Sequence, residues 1–233
     1  MKCEIKLGEV DYMKQDSMPQ VARFWNDIVE EFDSIYTGKD KGAIAKAMDR
    51  YFRSDIYGRF DWVMDRVGSQ VSGQAVCDIG CGTGRFVTEL AKRGAKVVMG
   101  VDVAPNMIEK AKEICRKDGT LDKCEFGVSD VLDWKPNRQY DTTIAIGFWD
   151  YIESPPERLR RIRAFTTGTF LSAWPRYWTW RMPVRKVRLQ YVRGCPCYFF
   201  KREEAVKMIE DAGFKVNRVD VIGQLFCIDA KAR

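Results

Sequence analysis

The chain has 233 residues, eight cysteines, no histidine and a formal charge of +6. Its 45% hydrophobic content is enough to bury a sizeable core and excludes a disordered or low-complexity chain, while the missing histidine excludes Ser-His-Asp triads, HExxH zinc hydrolysis and imidazole proton shuttles. The charge is uneven: from Arg158 to Arg202 twelve residues are basic and none acidic, which leaves 27 basic and 33 acidic residues elsewhere.

Residues 1–16 lack periodicity and read as a loose arm. Ser17 is placed to cap a helix with Pro19 in its first turn. Val21, Phe24, Trp25, Ile28, Val29 and Phe32 give that helix one apolar face until Gly38 ends it. Two more helical stretches, about 40–52 and 54–67, complete a helical extension over 1–68. From Gln74 the pattern changes to alternating strands and helices. Strands are expected at 75–79, 96–101, 124–128, 142–146 and 169–174, with helices at 86–92, 105–116 and 156–164 between them. After a basic, aromatic insertion at about 175–200, a helix at 202–212 stops at Gly213, and strands at 214–221 and 224–230 form a closing hairpin. The expected fold is α/β and doubly wound. It has a mostly parallel seven-stranded sheet with an antiparallel C-terminal hairpin over 69–233, behind the N-terminal helical extension.

Several cysteines sit inside apolar runs, as buried free thiols do, and no secretory-leader pattern opens the chain, so a reducing cytoplasmic setting is expected. Cys77-x₃-Cys81 fits a zinc hook only loosely and Cys195-Pro-Cys197 is too tight for one, so no metal is expected. No apolar run approaches the ~20 residues of a membrane span.

The chemistry concentrates in Val76-Cys-Asp78-Ile-Gly80-Cys-Gly82-Thr-Gly84-Arg-Phe86, where a buried strand runs through three alternating glycines into a helix. Such a loop lets a ligand approach backbone amides at a helix start. At the end of the second strand, Asp102 is placed to accept from both hydroxyls of a ribose. A dinucleotide fingerprint needs a small residue where Arg85 stands, so that reading fails. Asp78, ahead of the loop, suits a ligand with an ammonium group and would repel a pyrophosphate.

Asp78-x-Gly80-Cys81-Gly82-Thr83-Gly84 resembles the first motif of class I S-adenosylmethionine-dependent methyltransferases. Val101-Asp102, Ser129-Asp130-Val131 and Tyr140 to Gly147 resemble the family's next elements, as does the late Glu210-Asp211-Ala212-Gly213-Phe214 turn. The resemblance spans about 70–230 and implies S-adenosylmethionine as cofactor, without a metal. It implies that Asp78 and the backbone of Gly80, Cys81, Gly82 and Gly84 hold the methionine moiety, and that Asp102 takes the ribose hydroxyls. Val103 and Met107 would wall the adenine, Asp130 and Val131 would read its amine and ring edge, and Ile146–Gly147 would line the methyl donor. Transfer would be an in-line displacement, in which the protein aligns a nucleophile and excludes water.

Acceptor recognition is expected from the residues after strands four and five: Phe148, Trp149, Trp174, Arg176, Tyr177 and Arg181, whose rings and guanidinium groups suit a planar anion. With no histidine to take a proton, Asp150 is the candidate base, with Tyr151 and Tyr36 as further candidate catalytic residues. Phe32 to Gly38 is similar to a segment ahead of the core of magnesium-protoporphyrin O-methyltransferases, which act on a porphyrin propionate. That subfamily carries a histidine after its fourth strand, and this chain has none. The expected function is methyl transfer to an oxygen or nitrogen of a small or amphiphilic anionic acceptor. Two alternatives stay open: an RNA methyltransferase using the basic 158–202 stretch as a phosphate footprint, and a peripheral-membrane lipid or tetrapyrrole methyltransferase. Against RNA, the overall charge is modest and no appended RNA-binding module is visible.

Overall fold

The computed structural model describes residues 18–37, 54–179 and 182–233. The expected loose arm, the Ser17 cap, the Gly38 stop, the helical stretch at about 40–52, and Arg181 lie outside the described residues, as does the side chain of Tyr36.

Seven strands form one sheet: β1 (Ala75–Ile79), β2 (Val97–Asp102), β3 (Cys124–Val128), β4 (Tyr140–Ile146), β5 (Thr166–Pro175), β6 (Phe214–Ile222) and β7 (Leu225–Ala232). Their order is β3-β2-β1-β4-β5-β7-β6. The first five pair in parallel, while β7 runs antiparallel to both β5 and β6 and so alone opposes the rest. This is the expected doubly wound sheet, with the final hairpin folded so that its second strand lies inside. β1 and β4 are buried along nearly their whole length because helices cover both faces. One face packs Tyr140, Phe170, Phe214 and Trp174 into a buried cluster. The other packs Val76, Leu90, Ile144 and Leu171 against Trp62, Val63 and Val67 of an N-terminal helix, Ser54–Val67.

That helix, α3, follows α1 (Met18–Asp27) and α2 (Val29–Thr37). The periodicity of the opening segment predicts one helix, and the structure breaks it after Asp27. The reason is local: Asn26 accepts from the Asn106 backbone N–H through Oδ1 at 2.9 Å, and its carbonyl accepts from Asn106 Nδ2 at 3.3 Å. The carbonyl that would carry the ladder onward is turned to another helix. Between the strands run α4 (Arg85–Lys92), α5 (Pro105–Lys117) and α6 (Pro155–Phe165). The last two open on prolines, whose missing N–H costs nothing in a first turn. The basic insertion contains a helix that the sequence pattern does not predict: α7 (Met182–Lys186) continues as a π-helical turn over Val187–Val192. α8 (Arg202–Asp211) completes the layers, and Lys201 N–H donates to Glu204 Oε2 at its start. The strand order reverses between β1 and β4, which opens a crevice at their carboxyl ends.

Candidate functional site

A cavity of about 550 Å³ fills that crevice, within the ~300–1,000 Å³ usual for small-molecule sites. Its floor is the loop after β1. The Gly80 and Cys81 amides donate to the Val101 carbonyl at 2.8 and 3.1 Å, which pins the loop to β2. Gly80 has φ +73°, and a Cβ there would stand 3.0 Å from the Phe148 ring, so glycine is required on both counts. Gly84 does something else: it is absent from the cavity wall, and a Cβ on it would lie 2.8 Å from Ala111 Cβ. It sets the close approach of α4 to α5, so its expected contact with the methionine moiety is corrected.

Asp102 ends β2 at the cavity with its carboxylate already oriented, Oδ2 accepting from Gly82 N–H and Oδ1 from Ala104 N–H, both at 2.9 Å. Each oxygen keeps a lone pair for an incoming hydroxyl. Val103, Met107, Val131, Ile146 and Gly147 line the cavity. Asp130 does not. It is turned into a buried pair with Arg158 Nη2 at 2.6 Å and also caps the Leu132 N–H, so Ser129 and Val131 are what that turn presents to the cavity.

Asp78 lies on β1 behind the loop, nearly sealed and outside the cavity wall, so its expected contact with the methionine moiety is corrected; its Oδ2 has no hydrogen-bond partner among the described residues. Burial, then the Asp102 charge, pushes its carboxyl well above the usual range, and Arg59 draws it part of the way back. The folded state thus holds this proton more tightly than the unfolded chain. Stability is full below the unfolded value, about pH 4 for an aspartate, and falls as pH rises toward the raised folded value. Asp78→Asn is therefore expected to flatten the fall in stability as pH rises above about 4, read by urea unfolding at stepped pH. A profile identical to the parent's would contradict this assignment.

At the other end, Phe148, Asp150, Tyr151 and Arg176 reach the cavity. Trp149 and Trp174 do not: both are fully buried and stack on each other at 4.3 Å and 6°, so neither is open to an acceptor. Their apolar area went to the core because the turn after β4 and the end of β5 fold inward together. Tyr177 is exposed, packs edge-on against Trp178 and lies outside the cavity wall. Asp150 is buried and forms a very short ion pair with Arg185 of α7. Tyr151 packs edge-on against Trp25 at 5.4 Å; burial, then the Asp150 charge, pushes its phenol up, so it holds its proton.

Three contributors escape sequence reasoning. The α1–α2 strap closes one side of the cavity and is tied down by Asp33 to Arg85 at 2.9 Å and by Glu31 to Arg193 at 2.9 Å. Arg85, which spoils a dinucleotide fingerprint, is thus the anchor of a strap. Arg59 of α3 reaches the Gly147 turn, where a Cβ would sit 2.9 Å from its Nη1. α7 lines the far wall with Met182, Arg185 and Leu189, followed by Arg193. The i, i+3, i+7 spacing of its inward stripe is visible in the sequence but was masked by the surrounding basic residues.

The residues of the cavity wall fit S-adenosylmethionine: an arginine, Arg59, for a carboxylate, a fixed acid, Asp102, for a diol, and a glycine loop that brings backbone to the wall. Among the described residues no group of three His, Cys, Asp or Glu could hold a metal ion.

The family model described as "Methyltransferase domain" matches residues 46–219. Among solved structures, magnesium protoporphyrin IX methyltransferase (ChlM) from Synechocystis PCC 6803 is similar at TM-score 0.74 and 18% identity, over 94% of this chain and 100% of that one. Geranyl diphosphate C-methyltransferase from Streptomyces coelicolor A3(2) is similar at TM-score 0.72 and 14% identity, over 94% and 99%. At these identities the likeness is one of fold. The tRNA U34 carboxymethyltransferase of Aeromonas salmonicida is 29% identical over 115 residues, which is 47% of this chain and 34% of that protein. The chain thus spans about a third of the length of the curated relatives it matches.

Proposed function

Because the chain belongs to the methyltransferase-domain family and uses S-adenosylmethionine as its methyl donor, we propose that it methylates an oxygen or nitrogen of a small, anionic acceptor with an apolar body. The observation that carries this reading is the charge of the cavity wall. Arg59, Arg85, Arg176, Arg185, Arg188 and Arg193 face four acids, Glu31, Asp55, Asp102 and Asp150, so the described lining has a positive excess. Arg176 and Arg188 line the wall with no ion pair among the described residues, and Arg188, the one not bonded to a carbonyl, is the cation we assign to the acceptor.

S-adenosylmethionine, when bound, supplies a methyl group on a sulfonium that needs no further activation. In this reading Arg59 and Asp102 hold the carboxylate and ribose, and Met107, Val103 and Val131 enclose the adenine. Phe148 and the Gly147 turn shape the space beside the reacting atoms. The strap and α7 exclude water from both sides. Asp150 holds Arg185 toward the acceptor; an acceptor that enters already ionised needs no base, which accords with a chain that lacks histidine.

The test is label transfer from methyl-labelled donor to a panel of planar carboxylates, phenols, neutral amines and tRNA, read by mass. Transfer to an anionic small molecule is expected, with Arg188→Ala raising its KM about tenfold while the donor Kd stays unchanged. Transfer confined to neutral amines would overturn the reading. A tRNA acceptor is the second reading, favoured by the 28–29% identity to tRNA U34 carboxymethyltransferases, and transfer to tRNA alone would establish it in place of the first.

A further inference from the structure

The outward side of α7 and the residues leading into it form an unpartnered apolar and basic face. Trp178 is 76% exposed, Tyr191 74% and Val192 74%. Val187 is more than half exposed beside them, and Val187 and Tyr191 stand at i and i+4 on a side of the helical stretch that the cavity does not use. Lys186 is exposed beside them, and no acid occurs from Arg158 to Arg202. Large apolar side chains grouped in water mark an interaction site.

From this pattern we infer that Trp178 and the outward residues Lys186, Val187, Tyr191 and Val192 dock on an anionic phospholipid surface. An interfacial helix buries an aromatic and aliphatic face at the headgroup boundary while flanking cations meet lipid phosphates. The segment is suited to lying on a membrane; among the described residues no helix is long and apolar enough to cross one. RNA fits less well. A phosphate footprint needs a continuous field of free cations. Yet Arg158 is spent on Asp130, Arg161 on the Trp134 carbonyl, Arg185 on Asp150 and Arg193 on Glu31, and the exposed residues between the remaining cations are apolar. The opposite side of the same helix walls the cavity, so docking would set the cavity mouth at the bilayer. The inference does not depend on which acceptor is methylated.

The experiment is flotation of the full chain with vesicles of phosphatidylcholine, with and without about one-third phosphatidylglycerol. Flotation is expected only with the anionic vesicles and should fade as ionic strength rises. Lys186→Glu should weaken it at least fivefold, and Val187→Ser with Tyr191→Ser at least tenfold, with thermal stabilisation by S-adenosylmethionine unchanged in the latter pair. A second readout on a chain with these residues intact is quenching by brominated anionic lipid, expected to be smaller in Trp178→Phe than in the parent. The proposal is overturned by absent flotation, by equal flotation on neutral vesicles, or by tRNA binding that the same substitutions weaken while flotation is unaffected.

Discussion

Asp102→Ala is expected to weaken S-adenosylmethionine binding by roughly 10- to 150-fold, measured by calorimetry on the folded variant. The size follows from what the carboxylate does. It is half-buried, held by the Gly82 and Ala104 amides at 2.9 Å each, and lines the cavity. Removing it withdraws a charge-assisted partner from two hydroxyls, at ~1.5–3 kcal/mol, and also releases the glycine loop from its anchor. Burial lifts its carboxyl above the ordinary value while the Ala104, Gly82 and Val103 amides pull it down, so the charged form is held by fixed dipoles in place of water. Asp102→Asn keeps an acceptor oxygen and should lose less affinity than alanine. An unchanged Kd in Asp102→Ala would remove this residue from the donor site.

The second large effect is expected in stability. Arg185→Met strips the partner from Asp150, whose side chain is only 2% exposed. Breaking a fully buried pair costs ~3–5 kcal/mol, but Arg185 is itself 36% exposed and partly screened, so about 2–3 kcal/mol is expected. For a chain of this length that corresponds to a fall in Tm of roughly 5–10 °C. The pair also joins the turn after β4 to α7, so the loss should loosen the acceptor side more than the donor side. Replacing both residues, Asp150→Val with Arg185→Met, leaves no orphaned charge and should recover part of the loss. A double variant whose destabilisation equals the sum of the two singles would show that the groups do not interact.

The elements that could be read from the sequence are those set by local pattern. β1 announces itself as an apolar run before alternating glycines, α5 and α6 by prolines in the first turn, and the end of α8 by Gly213 at φ +94°. The glycine loop and the acid ending β2 were legible for the same reason: Gly80 and Asp102 keep fixed distances from the ends of β1 and β2, and a parallel sheet carries those ends to one edge. Asp130 failed because its neighbour in space, Arg158, is 28 residues away and captures the carboxylate. Trp149 and Trp174 failed because an aromatic beside a strand end looks the same in sequence whether it faces a ligand or the core.

By itself, then, the sequence determined the α/β alternation, the glycine loop and the acid ending β2, and the exclusion of every histidine-based mechanism; these depend on residue type and short spacing alone. The tertiary structure decided which cations are free and which are spent. It paired Arg158 with Asp130, Arg185 with Asp150 and Arg193 with Glu31, which turned a uniformly basic segment into one buried strut, a cavity wall and one outward apolar face. The physical reason is that a charge acts through whatever stands within a few ångströms of it, and those neighbours are fixed only when distant parts of the chain pack.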